Sequence, residues 1–135
     1  MTQHMKNTEI VKTFLDGFNH PSKIQASFDL LADDYHFTNP MMETHSKAEF
    51  LPLAMKIGEV IKAVHLIAVA ESDDWVATFY EFQTDLPGVE KNDASEWFKV
   101  VDGRIKESYL VYDASEWRKI YAQMSQASGG WCAEA

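Results

Sequence analysis

The sequence predicts an α+β fold in which helices come first and strands follow. Three observations carry that reading. Up to about residue 61 the apolar side chains recur at three- and four-residue spacing. Beyond it they fall into four strand-like runs, AVHLIAVAE, WVATFYEFQT, SEWFKVV and RIKESYLVYD. SDD, DLPGVEKND and DG separate these runs, all of turn composition. Helices and strands segregated in this way imply consecutive antiparallel strands with helices covering one face of the sheet. A chain of 135 residues suits a single domain, large enough to bury roughly 60% or more of its unfolded surface. That domain is expected over residues 1–124, with residues 125–135 as a loosely held, Gly/Ser/Ala-rich tail.

The first helix opens at Asn7 or Thr8, carries Ile10, Val11, Phe14, Leu15 and Phe18 on one face, and stops near residues 17–19. Pro21 fits the first turn of a second short helix, where its missing N–H costs nothing, and Ile24, Phe28 and Leu31 continue one face. Asp33 and Asp34 leave that helix as solvated loop carboxylates. In YHFTNP, a short strand places Tyr35, Phe37 and Asn39 on one side and His36 and Thr38 on the other, and Pro40 ends it. Ser46 and Glu49 form a capping box for a third helix with the stripe Phe50, Leu53, Ala54, Ile57 and Ile61, which Pro52 is expected to kink or split. The pentapeptide DASEW occurs at residues 93–97 and 113–117, followed by opposite periodicities. After the first copy, alternation to Asp102-Gly103 marks a strand and a hairpin turn. After the second, Trp117, Ile120, Tyr121 and Met124 share a helix face behind Asp113 as cap and Glu116 as its reciprocal partner. The repetition is therefore not an internal repeat.

Composition excludes several function classes. A net charge of −9, with no Lys/Arg cluster, disfavours a phosphate-tracking nucleic-acid surface. No apolar run reaches the length of a membrane span, the first ten residues lack a leader-like apolar core, and Cys132 has no partner for an internal disulfide. A cytoplasmic protein is the expectation. No G-x-S-x-G, P-loop or G-x-G-x-x-G occurs, and histidines without HExxH or HxH spacing predict no metal. Seventeen Phe, Trp and Tyr residues fit either a dense core or an aromatic-lined cavity, and composition does not separate the two.

The order helix, helix, short strand ending at a proline, helix and long strands has a known counterpart. The stretches LLADDYHFTNP, WVATFYEF and EWFKVVDGRIKESYLVYD, within residues 7–113, resemble the NTF2-like superfamily near its SnoaL-like and ketosteroid-isomerase-like branches. The resemblance implies a strongly curved, mostly antiparallel sheet wrapped as a cone around three N-terminal helices, with a short C-terminal helix added. It also implies a ligand pocket at the open end and a homodimer through the outer face of the sheet. Carried over residue by residue, the isomerase pattern largely fails. The proton-abstracting aspartate position holds Asn39, whose amide is no general base, and the oxyanion-binding tyrosine position holds Phe14. Only the carboxylic-acid position keeps its chemistry, as Glu96. Classical steroid isomerisation is not expected.

Glu96 shares a strand face with Phe98 and Val100, where burial raises a carboxyl pKa and makes it a proton donor. Glu81 shares a face with Trp75, Ala77 and Phe79, and becomes its proton-sharing neighbour if the two strands pair in register; otherwise either carboxyl sits at a solvated rim. Asn39 either holds a ligand oxygen or serves turn chemistry before Pro40. His36 faces away from Asn39 and reads as a surface or interface residue; Glu43 and His45 read as solvated, and His65 as a satisfied histidine in the sheet. Phe14, Phe18, Tyr35, Phe37, Leu53 and Ile57 from the first half, with Trp75, Phe79, Phe98, Leu110 and Tyr112 from the strands, are the expected lining of an apolar pocket. A plainly packed core instead leaves no pocket above about 300 Å³. The leading reading is a small hydrophobic or polycyclic ligand bound through Glu96, Glu81 and Asn39, with cofactor-free isomerase, dehydratase or cyclase chemistry on a carbonyl compound. The rival is a non-catalytic binding or dimerisation module that presents Trp97 on the outer sheet face.

Overall fold

A computed structural model describes residues 6–128. Helix α1 (Asn7–Asp16) runs into a single 3-10 turn, and a second such turn at Pro21–Lys23 leads into the short α2 (Ile24–Phe28). Strands β1 (Leu31–Thr38) and β2 (Glu43–Thr44) precede α3 (Lys47–Val60). Strands β3 (Ile61–Ser72), β4 (Trp75–Thr84), β5 (Lys91–Val101) and β6 (Arg104–Tyr112) follow, and α4 (Ser115–Ser128) ends the described chain. The strands form one curved, unclosed sheet in the order β2-β1-β6-β5-β4-β3, antiparallel except where β1 lies parallel to β6. This is the α+β cone expected from the sequence. The expected tail falls largely on residues 129–135, which lie outside the described residues; α4 itself extends to Ser128.

Local chemistry fixes most of these elements. Asp73-Asp74 and Asp102-Gly103 are two-residue hairpin loops, and Asp73, Asp102 and Gly103 have the positive φ that such turns require. The Ser46 hydroxyl accepts the Glu49 N–H, while the Glu49 carboxylate accepts the N–H of His45, so the capping box closes one residue earlier than the standard pattern. Asp113 caps α4 by accepting from both the N–H and the hydroxyl of Ser115, and Glu116 turns to Lys119 instead of reciprocating.

Four expectations need correction. Leu31 belongs to β1, not to a helix face, and Asp33 and Asp34 are exposed strand residues on it, with Asp34 bonded to Lys106 at 2.8 Å. Pairing with β6 supplies the hydrogen bonds that local pattern could not foresee. Ile61 likewise leaves the α3 stripe and opens β3. Pro52 does not split α3, which runs unbroken through it from Lys47 to Val60 at the cost of one backbone hydrogen bond. The short β2 is an added edge strand, paired with β1 through Phe37↔Thr44 and Thr38↔Glu43.

The core lies between the inner face of the sheet and helices α1 to α3, with α4 closing one end. Gly17 is required at the crossing of α1 and α2: a Cβ there meets the Ser27 Oγ at 1.8 Å. Ser27, fully buried, donates its hydroxyl to the Phe14 carbonyl at 2.9 Å. Asn19 pins the same corner to the sheet edge, accepting from the Val64 N–H at 2.7 Å and donating to its carbonyl at 2.8 Å. No helix among the described residues is long and apolar enough to cross a membrane.

Candidate functional site: a buried carboxyl in an aromatic cavity

Strand β5 alternates with its inner set at Ala94, Glu96, Phe98 and Val100, all buried. Glu96 therefore points into the cone, 4% exposed, beside Thr78 on β4 and Leu110 on β6. The Tyr80 hydroxyl donates to Glu96 Oε1 at 2.6 Å. Ser108 is a second side-chain partner of the carboxyl, and it accepts in turn from the Tyr35 hydroxyl at 2.8 Å. Desolvation in this apolar surround pushes the Glu96 pKa up to about 7, against the opposing pull of the Tyr80 and Ser108 hydrogen bonds. Burial first, and the adjacent Glu96 second, hold the Tyr80 and Tyr35 hydroxyls well above the usual tyrosine range, so both remain donors.

Glu96 lines a cavity of about 100 Å³ and is its one carboxyl among the described residues. Its walls come from α1 (Phe14, Leu15), the following turn (Phe18), β1 (Phe37), the adjoining Asn39 and α3 (Phe50, Ala54, Ile57). The sheet side comes from Tyr80 and Phe82 of β4, Leu110 and Tyr112 of β6 and Ile61 and Val64 of β3, and Trp117 and Tyr121 of α4 add to the wall. The volume is below the ~300 Å³ that separates an ordinary ligand pocket from a plainly packed core, so by that measure most of the aromatic residues are core packing, and the space left beside Glu96 admits a molecule of a few heavy atoms and not the expected polycycle. Asn39 uses its side-chain oxygen on the N–H groups of Met41 and Met42, both at 2.8 Å, while its amide nitrogen makes no hydrogen bond among the described residues. The turn use of Asn39 is therefore the one that forms, through its side-chain oxygen. The Tyr112 hydroxyl also has no hydrogen-bond partner among the described residues, and burial raises its pKa to about 12.

The expected site is partly reassigned. Phe14, Phe18, Phe37, Asn39, Ile57, Glu96, Leu110 and Tyr112 line the cavity. Tyr35 and Phe98 are fully buried behind its wall, and Leu53 packs against the core, without lining it. Glu81, Trp75 and Phe79 lie on the opposite face of β4. Its inward set is Val76, Thr78, Tyr80, Phe82 and Thr84, and Phe79 is an exposed aromatic. Glu81 pairs across the outer face with His65 and Asp93, not with Glu96, so the two-carboxyl arrangement does not form. The exposed His65 sits with it on that outer face. Because β4 is apolar on both faces, alternation alone cannot orient it. Tyr80 was legible as a member of the other alternating set, and Trp117 and Tyr121 as a helix face; neither signal says that a cavity lies between them.

No family model and no curated protein matches the sequence. Solved structures do match the fold. An NTF2-like protein from Cytophaga hutchinsonii superposes with a TM-score of 0.72 at 17% identity, covering 87% of this chain and 99% of that one. A candidate polyketide cyclase from Xanthomonas campestris gives 0.66 at 21% identity over 82% of this chain and 93% of its own. A protein with a ketosteroid isomerase-like fold from Catenulispora acidiphila, solved in complex with trimethylamine, gives 0.67 at 14% identity over 85% and 91%. With these superpositions over most of both chains, this chain has the NTF2-like fold that its sequence resembles.

Proposed function

We propose that the cavity binds a small hydrophobic carbonyl compound and that Glu96 transfers a proton on it. The observation that carries this reading is a carboxyl with a pKa near 7 buried in the lining of an aromatic-walled cavity. Near neutral pH both protonation forms of such a group are populated. As carboxylate, Glu96 takes a proton from the carbon next to the carbonyl; as acid, it returns that proton to the same or a conjugated carbon. The Tyr112 hydroxyl and the Asn39 amide nitrogen are the free donors for the carbonyl oxygen, whose charge grows as the enolate forms. The cycle regains its starting state without a cofactor and without a second carboxyl, which accommodates the outward position of Glu81. An isomerisation follows directly from this scheme, and dehydration or cyclisation uses the same proton-transfer step.

The test is α-proton exchange of cyclopentanone in D2O, followed by NMR with and without the full chain. Exchange above the buffer rate is expected to follow the ionisation of Glu96 and to fall at least ~100-fold in Glu96→Gln. Exchange at the buffer rate sinks the catalytic step, and binding that is flat with pH and indifferent to the substitution sinks the binding role as well.

A specific observation favours a second reading. Ile67, Phe79, Trp97, Tyr109 and Val111 are exposed apolar residues on the outer sheet face, the last at 57%. In this reading the face self-associates into a homodimer and the cavity is vestigial. Sedimentation velocity is expected to show a dimer that Trp97→Glu and Val111→Glu convert to monomer; a monomeric wild type removes this reading.

A further inference from the structure

On the other side of β1 from Phe37, the hairpin formed with β2 gathers three side chains that share none of the cavity. The register Phe37↔Thr44 places His36 opposite His45, and alternation along β2 puts Glu43 on the same face as His45. The two imidazole rings stack with centroids 5.0 Å apart and planes 25° from parallel. His36 Nε2 is in direct contact with Glu43 Oε2. Ligand atoms of all three residues lie within 4.8 Å of one another.

We propose that His36, Glu43 and His45 form a surface site for one divalent transition-metal ion of the zinc class. Two imidazoles and one carboxylate are a recognised zinc donor set, and bonds of about 2.0–2.2 Å in a tetrahedron bring ligand atoms to roughly 3.3 Å apart. Small side-chain rotations open the direct His36–Glu43 contact to admit the ion and bring His45 in from the present spacing. Solvent completes the fourth position, because Glu43 and His45 are exposed.

The scaffold is held at both ends. The Asn39 side chain ties down the backbone at Met41 and Met42, and the Glu49 carboxylate accepts the His45 N–H at 2.8 Å. Glu107, registered with His36 on β6, adds a carboxylate on the neighbouring strand, and the net charge of −9 favours cation approach. The absence of HExxH or HxH spacing in the sequence does not bear on this set, because strand pairing, not helical spacing, brings residues seven and nine apart together.

The experiment titrates the full chain with ZnCl2 by calorimetry and with CoCl2 by visible absorption, at about pH 7.5. One ion per chain is expected, with cobalt ligand-field bands and no thiolate charge-transfer band, so that Cys132 is not a ligand. His45→Ala, at an exposed position that leaves folding intact, is expected to weaken binding at least ~10-fold. The double variant His36→Ala/His45→Ala is expected to abolish binding, while His20→Ala and His65→Ala leave it unchanged. A wild type that binds no ion at millimolar concentration, or a His45→Ala chain that binds as wild type does, overturns the proposal.

Discussion

Replacing Glu96 by glutamine is expected to stabilise the protein above pH 7 by on the order of 3 kcal/mol. The folded carboxyl has a pKa of about 7 against an ordinary value of 4.5. Between those values the folded state binds more protons than the unfolded chain, so the Glu96 contribution to wild-type stability is fully present below about pH 4.5 and is lost as pH rises through 7. Above 7 the folded chain carries a buried carboxylate, and the loss levels off. Glutamine has nearly the same shape, keeps an acceptor for the Tyr80 hydroxyl, and aims an amide donor towards Ser108. The variant is therefore expected to show a flat profile through this window and to match wild type near pH 4.5. Asp34 and Asp113, whose pKa values are lowered by Lys106 and by the Ser115 N–H respectively, act with the opposite sign and below this window. Urea denaturation from pH 4 to pH 9 measures the effect, and a flat wild-type profile between pH 5 and pH 8 refutes it. A stability gain accompanied by loss of proton exchange is the signature of a carboxyl retained for function at a cost in stability.

Phe98→Ala is expected to cost about 3–5 kcal/mol, a large part of the stability of an ordinary domain. Phe98 is fully buried, and its ring meets Phe14 edge-on at a centroid distance of 5.7 Å, tying the central strand β5 to α1. Phe79→Ala removes the same side chain from the outer face and is expected to cost less than ~1 kcal/mol. Chemical denaturation at a single pH compares the two. Similar losses would mean that both faces of the sheet are covered, and would contradict the assignment of the core to the inner one.

The contrast between these phenylalanines shows where the sequence is silent. Strand β5 oriented itself, because its inner set ends in Phe98 and Val100 while charged Lys99 alternates with them. Strand β4 offered Val76, Tyr80 and Phe82 on one side and Trp75, Ala77 and Phe79 on the other, two sets of similar hydrophobicity. Period-two reasoning identifies the sets and cannot choose between them. Glu81 followed the wrong set outward and took the expected carboxyl pair with it. Tyr80, the actual partner of Glu96, belonged to the right set.

By itself the sequence determined the element order apart from the short β2, the two hairpin turns, the capping residues Ser46 and Asp113, and the presence of an acid on an otherwise apolar strand face. These follow from contacts between residues a few positions apart, where periodicity and turn chemistry act directly. Tertiary structure alone decided which face of β4 looks inward, that Tyr80 and Ser108 meet Glu96, that α4 adds to the wall of the cavity, and that His36 lies against His45. Each of those depends on strand register or on packing between distant segments, and the free energy that selects them comes from burying one surface of the whole sheet at once. No local window contains that information.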